Sequence, residues 1–475
     1  MIELADGHND AETRYEEDGE RRVLERALLR KVDLRMSFLV FIYILNYMDR
    51  SSAAAARLRG FEDNLGLDGT QFATVLSVFY VGYVLMQIPS NMLLSQIDKP
   101  SVYLSSCTII WGFVSFLTGA ATNYYEVLIA RTLLGFVEAV FFPGALFFLS
   151  RWYKRSELSE RTAFLICGNL LSSSFGVLIA SAILDMMDGV FGLSAWRWLF
   201  FVEGGFTILA GVAALVILPD FPEFKQITWL TPAEHALAKQ RMIEDAVDTP
   251  PLRGDAMSGL KLAFLDWKVW YLAITLLFCV VSTSFTIYFP TLTATMGYST
   301  TISLLLCAPP WLVAAMWSLW VCRHSDKTGE RCMHIVVPIM IAIGGFLLSM
   351  STMNIGIRYA SLFLMTQSSC SAICFYAWAS STVSNPPAKR AVALALINAV
   401  SQCGNIVGSY VWVKEWGPTY AKSYAICGMT YFICAGMCLR LRSVLRKLNR
   451  EFDLEHERGI VMEGQSSAKG WRYHT

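Results

Sequence analysis

The chain has 475 residues, 55% of them hydrophobic and 16% charged, with a formal net charge of +1. Soluble domains carry about a quarter charged residues, so this composition excludes an ordinary water-soluble globule, and the mean hydropathy of +0.44 agrees. The near-neutral balance offers no overall field for nucleic acid.

The first 36 residues are polar and charged and form an N-terminal tail, 1–36. The first apolar run begins at Ser37 and is long enough to be kept as a helix rather than cleaved. Runs of spanning length lie at 37–56, 72–96, 101–120, 124–150, 162–185 and 197–219, then at 268–290, 300–322, 333–350, 357–382, 390–413 and 420–440. A bilayer core needs about 20 apolar residues as helix, and helix is the default because nothing there hydrates the backbone. The expected fold is therefore an all-α membrane protein of about twelve transmembrane helices, in two six-helix bundles at 37–219 and 268–440. Pro89, Pro143, Pro309 and Pro310 are expected to kink or break their helices. The polar segment 220–267 contains Thr231-Pro232-Ala233-Glu234, a capping box with proline at the first helical position. It predicts a short surface helix over 232–245. A second tail, 441–475, ends the chain.

With the N-terminus inside, about 31 Lys and Arg fall on the cytoplasmic side and about 6 outside. Both termini and the central loop are then expected to be cytoplasmic, with Arg151-Trp152-Tyr153-Lys154-Arg155 and the run Arg440 to Arg450 as topology anchors. Twelve cysteines sit mostly in apolar runs without Cys-x-x-Cys spacing, which reads as small hydrophobic side chains. The six histidines fall in tails or loops, so no metal site is expected. No other cofactor is expected either.

Ionisable residues inside spans cost about 2.5–3.5 kcal/mol each at the helix centre. Here Asp49 and Arg50 lie in the first span, Arg131 and Glu138 in the fourth, and Glu203 in the sixth, while the second half carries almost none away from its edges. Helix rise puts Asp49 roughly 19 Å from its starting face and Arg131 roughly 10 Å from the other. In a core about 30 Å thick these depths nearly coincide. Glu138 follows Arg131 by two turns on the same face, so two cations and two carboxylates can face one cavity. Guanidiniums there could grip an anion bidentately, and carboxylates could carry protons. The alternative is a pair of structural ion links between helices. Asp49 and Arg50 point about 100° apart and cannot both be optimally paired with each other. The second half offers uncharged groups instead: Ser368, Ser369, Ser371, Tyr376, Trp378 and Ser380 in the tenth span, and Asn398, Gln402 and Asn405 in the eleventh. These could hydrogen-bond a substrate or join helices.

Ser325-Asp326-Lys327-Thr328-Gly329-Glu330-Arg331 resembles the Asp-x-x-Gly-x-Arg loop signature of the major facilitator superfamily. The corresponding loop after the second span, Gln96-Ile97-Asp98-Lys99-Pro100, lacks the Gly and Arg. The match is to the anion:cation symporter branch, particularly fungal allantoate, nicotinate, biotin and pantothenate-type permeases. It is carried by Asn46-Tyr-Met-Asp49-Arg50, Phe79-Tyr80-Val-Gly82-Tyr-Val-Leu-Met-Gln87-Ile-Pro89-Ser-Asn91 and Arg131-Thr-Leu-Leu-Gly135-Phe-Val-Glu138-Ala. Trp196-Arg-Trp-Leu-Phe-Phe-Val-Glu203-Gly and Leu218-Pro-Asp-Phe-Pro222 extend it. Ser51-Ser52 departs from the branch, which usually has an Asn nearby.

The resemblance implies a proton-coupled symporter of a small organic anion. Asp49 and Glu138 would couple the proton, and Arg50 and Arg131 would serve the substrate and the gating pairs. Tyr80, Trp378, Asn398 and Asn405 complete the expected substrate set, and Asp326, Gly329 and Arg331 the gate. The expected partners are the anion, protons and the lipid bilayer, for a monomer in the plasma membrane. Proton-driven export uses the same residues, and a non-transporting nutrient receptor is a further alternative. No HExxH, GxSxG or P-loop match supports an enzyme.

Overall fold

The computed structural model describes residues 3–97, 99–221, 229–247, 256–383 and 387–457. Its first crossing is α1 (Glu3–Arg57), followed by the short α2 (Phe61–Leu65). The next two are α3 (Gly69–Gln96) and α4 (Pro100–Thr118), and the fourth is split into α5 (Tyr124–Glu138) and α6 (Phe141–Trp152). The N-terminal half closes with α7 (Arg155–Met186) and α8 (Ala195–Ile217). Two connecting helices follow, α9 (Pro232–Val247) and α10 (Ala256–Leu265). The seventh crossing joins α11 (Trp267–Ser282) to α12 (Phe289–Ala294), and the eighth joins α13 (Thr300–Leu305) to α14 (Ala308–Thr328). Then come α15 (Cys332–Ser351), the split tenth crossing α16 (Ile355–Thr366) and α17 (Ser369–Thr382), α18 (Pro387–Ser409) and α19 (Ala421–Glu457). Asp98, 222–228, 248–255, 384–386 and 458–475 lie outside the described residues, and with them parts of the central loop and the C-terminal tail.

Among the described residues, ten crossings are long and apolar enough to span by themselves. The other two are polar for identifiable reasons: α1 carries Asn46, Asp49 and Arg50, and the tenth crossing carries Gln367 and a run of serines. Proline accounts for two of the breaks. A proline ring clashes with the carbonyl four residues earlier, and Ala139–Val140 precede Pro143 by that distance, as Leu305–Leu306 precede Pro309 and Pro310. At Pro89 the helix is not broken, since α3 runs through it. The break at Gln367–Ser368 has no proline. There Gln367 Nε2 donates to the Phe363 carbonyl at 2.7 Å and Ser368 Oγ to the Met365 carbonyl at 2.7 Å, competing with the backbone ladder.

Glycines set the closest helix contacts. A Cβ on Gly82 would stand 2.6 Å from the Thr132 carbonyl oxygen, and one on Gly135 would collide with the Phe79 carbonyl. α3 and α5 therefore touch backbone to backbone, as small residues allow in membranes. The polar links described between the two halves gather at the face away from the N-terminus. Thr74 and Ser77 meet the Tyr410 hydroxyl at 3.0 and 3.3 Å. Thr301 Oγ1 donates to Asp185 at 2.9 Å, and Lys414 approaches Glu62 at 3.6 Å.

The polar N-terminal stretch is continuous helix with the first crossing. Leu28, Val32, Met36, Leu39 and Tyr43 form one buried stripe at helical spacing, which carries α1 out of the membrane along its own half. Ion pairs then fasten it to α9. Lys31 bonds Glu234 at 2.7 Å, and Arg21 bonds Glu244 at 2.6 Å. Arg241, 2% exposed, reaches Glu25 at 2.6 Å and Glu157 of α7 at 2.5 Å. The Thr231 cap is made as its spacing predicts, with the Glu234 N–H donating to Oγ1 at 3.3 Å and Glu234 accepting the Thr231 N–H at 2.8 Å.

Burial opposes ionisation of Glu234, but Lys31 and Thr231 outweigh it and hold its carboxyl below the ordinary value. Arg21 is the main cause of the same lowering at Glu244. Carboxyls depressed by folding add stability above their unfolded value and lose it as pH falls through the folded one. Arg241→Leu is expected to lower stability by about 1–3 kcal/mol at neutral pH, since its partners are partly hydrated. Acidification below about pH 4 should lower the melting temperature of the solubilised wild type, and Glu244→Gln should shrink that loss. Thermal unfolding across pH measures both.

Candidate functional site

The mid-membrane charges come from α1, α5 and α8. Arg50 Nε donates to Glu138 Oε2 at 2.7 Å, and Asn46 Nδ2 donates to the same oxygen at 2.8 Å. Asn46 and Arg50 are four residues apart and share one face of α1. The second carboxyl oxygen of Glu138 has no hydrogen-bond partner. The Arg50 guanidinium is enclosed by the rings of Tyr47, Phe79 and Tyr83 at 5.0, 5.1 and 4.9 Å, a cation–π box built mainly by α3. The α3–α5 glycine contact is what brings those rings onto Arg50.

Asp49 turns away from this pair. Its carboxylate accepts the Trp111 Nε1–H at 3.0 Å and the Ser115 hydroxyl, both on α4. The expectation that Asp49 faces the cavity with the other charges is corrected here. Adjacent helix positions diverge by about 100°, so placing Arg50 toward α5 sends Asp49 into the α1–α4 seam. Glu203 of α8 meets the Ser52 hydroxyl, so Ser52, at the departure from the branch pattern, has a partner inside the bundle.

Arg131 is 3% exposed, yet its Nε and Nη2 have no hydrogen-bond partner. Its guanidinium lies 5.6 Å from the Phe200 ring and within electrostatic range of Asp49, Glu138 and Glu203, bonded to none of them. A small space is bounded by Arg50, Val75, Leu76, Phe79, Tyr80, Arg131 and, from the other half, Ile287. It has about the room of a single water molecule.

The other expected site residues separate into four places. Tyr80 borders the space beside Arg50 and Arg131. Asn398 and Asn405 lie half-buried on α18 in a chain that includes Tyr376 and Gln402. Trp378 is fully buried against Phe375 in the core of the C-terminal half, so its ring is closed to a solute, and Tyr376, two residues earlier, is the half-buried aromatic. At the loop between α14 and α15, Asp326 pairs with Arg331 at 2.7 Å. Gly329 ends α14 at φ 66, a left-handed conformation that favours glycine. Glu330 caps α15 through the Met333 N–H at 2.9 Å and pairs with Arg442 of α19 at 3.1 Å. His324 and His334, expected in loops, stand in the flanking helical turns with their ring nitrogens 2.7 Å apart.

Asn46, Tyr47, Phe79, Tyr83, Trp111, Ser115 and Ser52 are the partners that sequence reasoning left without roles. Only Asn46 carried a usable signal, an amide one turn from Arg50 inside an apolar run.

The sequence model of the Major Facilitator Superfamily matches residues 39–409. The chain belongs to the Major Facilitator Superfamily. It is a multi-pass membrane transporter of that family. It is 31% identical to the MFS-type transporter cnsO of Penicillium expansum, over 84% of this chain and 79% of that protein. A protein of Agrobacterium vitis named "Putative tartrate transporter" is 30% identical, over 88% of this chain and 90% of its own length. The major facilitator-type transporter hxnP of Emericella nidulans is 28% identical over 94% and 93%. Among solved structures, a bacterial homologue of the human lysosomal transporter Spinster, inward-facing and unoccupied, superposes with a TM-score of 0.67 at 18% identity, over 86% of this chain and 98% of that one. The E. coli xylose transporter XylE gives 0.61 at 14%, over 85% and 97%. Both share the fold of this facilitator.

Arg50→Lys loses the Nε–H that meets Glu138, and Arg131→Lys loses the planar fork while keeping charge. Each is expected to slow transport roughly tenfold or more, about 1.4 kcal/mol, with the amount of protein in the membrane unchanged. Initial rates in vesicles decide it. Normal rates in both variants would leave the arginines as helix links only.

Proposed function

We propose that this facilitator is a secondary active transporter that moves a small organic anion together with a proton by alternating access. The observation that carries the reading is Arg131, a buried guanidinium with two free nitrogens beside a space shared with Arg50. Leaving a buried charge unpaired is costly, and an anionic substrate supplies the missing partner. The Agrobacterium vitis relative, whose name points to a carboxylate, supports the same class.

Glu138 couples the proton. Protonated, it releases Arg50, and the two arginines together bind the anion. Deprotonated, it reclaims Arg50 at the distance seen here and the anion leaves. Asp49, held by Trp111 and Ser115, positions α1 and is the second candidate for a proton. The Lys and Arg bias supports a cytoplasmic N-terminal face, and the plasma membrane is the proposed location. The described links between the halves lie on the opposite face, which supports an inward-open reading of this arrangement.

Asp326 and Arg331 act as the latch of the cytoplasmic gate. Asp326→Ala is expected to reduce turnover severalfold while substrate affinity holds, and unchanged initial rates would remove the latch role.

Glu138→Gln imitates the protonated carboxyl permanently. It should keep counterflow exchange of labelled for unlabelled substrate and lose accumulation driven by a pH gradient. Both are measured in the same vesicles. Retained accumulation moves coupling to Asp49 or Glu203, and loss of both activities favours a purely structural pair.

A further inference from the structure

His324 and His334 are separated by ten residues and face each other because α14 and α15 fold back through the turn at Gly329. His324 Nδ1 stands 2.7 Å from His334 Nε2. Both lie near helix ends, away from the charged groups of α1, α5 and α8. Each ring is held by a second contact. His324 is exposed and stacks on Trp320, with 5.4 Å between ring centres and 14° between planes. His334 is half-buried, and its Nδ1 meets Glu330 Oε2 at 3.0 Å. Glu330 is itself fixed by the Met333 N–H at 2.9 Å and by Arg442 at 3.1 Å. A carboxylate only accepts hydrogen bonds. His334 Nδ1 therefore carries a proton, and its Nε2 turns a lone pair toward His324.

A metal-bound imidazole requires the same arrangement. A ligating histidine gives its other ring N–H to a carboxylate, which fixes its tautomer and direction. In the pair as it stands, one proton on His324 Nδ1 bridges the two nitrogens. An ion in place of that proton makes bonds of about 2.0–2.1 Å to each nitrogen. Ligands spaced between a right angle and a tetrahedral angle then lie about 2.9–3.4 Å apart. The gap must widen by about 0.2–0.7 Å, and the exposed side chain of His324 can supply that movement. Among the described residues no third His, Cys, Asp or Glu completes a cluster with the pair, so water fills the remaining positions. The cations of this corner, Arg331 and Arg442, are already paired with Asp326 and Glu330.

We propose that His324 and His334 chelate one divalent transition-metal ion of the class imidazole favours, represented by Zn2+, with Glu330 as the positioning residue behind His334. Imidazole nitrogen suits Zn2+, Cu2+ and Ni2+, whereas Mg2+ and Ca2+ take oxygen ligands. The bound ion joins the end of α14 to the start of α15, and so fastens the turn that carries Asp326 and Arg331.

The test uses the full-length protein purified without a histidine tag. Calorimetric titration with zinc chloride at neutral pH should show one tight Zn2+ per chain, and magnesium chloride should show none. His324→Gln and His334→Gln should each weaken that step at least tenfold. Glu330→Gln keeps both ligands and should weaken it about tenfold. Zinc should also raise the melting temperature of the wild type and not that of His324→Gln, since an ion bound only by the folded state stabilises it. The exposure of His324 makes this variant the one least disturbed in folding. Equal zinc affinity in the wild type and folded His324→Gln assigns the ion to other side chains and overturns the site. Absence of zinc binding in the wild type, or magnesium binding of equal strength, overturns it as well. Unchanged affinity in Glu330→Gln removes the positioning role.

Discussion

The contact between Arg50 and Glu138 is the constraint around which the N-terminal half is built. It joins the first crossing to the fourth in a medium that hydrates neither group. Removing one member of such a pair strands the other, at about 3–5 kcal/mol. Its surroundings are arranged to support the charge. Asn46 adds a second donor to the carboxylate, and three aromatic rings face the guanidinium. Those rings are in place because Gly82 and Gly135 let α3 and α5 meet at the backbone. The direction given to Arg50 also fixes its neighbour, since Asp49 must then enter the seam with α4, where Trp111 and Ser115 receive it.

The continuity of the helices follows the same division. In the N-terminal half the charged crossings α1 and α8 are unbroken, and α5 is interrupted only after Glu138. In the C-terminal half the seventh, eighth and tenth crossings are all interrupted, the eighth by proline and the tenth by side chains that capture carbonyls. A buried ion pair tolerates little displacement, because its attraction must offset a large loss of hydration. Neutral hydrogen bonds tolerate more, and the interrupted half is the one that relies on them.

Much of this was legible in the sequence because the bilayer imposes strong rules. Apolar run length located the crossings, and the rarity of charge inside them picked out Asp49, Arg50, Arg131, Glu138 and Glu203. Helix geometry also required Asp49 and Arg50 to look in different directions. It did not say which of the two faces the centre, because that depends on the neighbouring crossing. Trp378 and Tyr376 show the same gap: two residues apart on one helix, they differ in burial, and composition cannot distinguish them. Proline at 143, 309 and 310 marked breaks correctly, whereas Pro89 did not interrupt its helix. The break at Gln367 came from serine, threonine and glutamine side chains, which carry no comparable warning. The N-terminal stretch was too polar to suggest more than a tail, since its ion-pair partners come from α9, some 200 residues further along the chain.

That stretch has a mechanical consequence. α1 is one unbroken helix from the ion pairs at Glu25 to the guanidinium of Arg50, a rod of roughly 38 Å. Its outer end is held by Arg241, and its inner end holds Glu138. A rod of that kind transmits rotation about its own axis. Turning the outer end by a fraction of a helical step would sweep Arg50 sideways off its carboxylate. The amino terminus is therefore a handle on the centre of the membrane, and whatever grips or loosens α9 grips or loosens the charge pair with it.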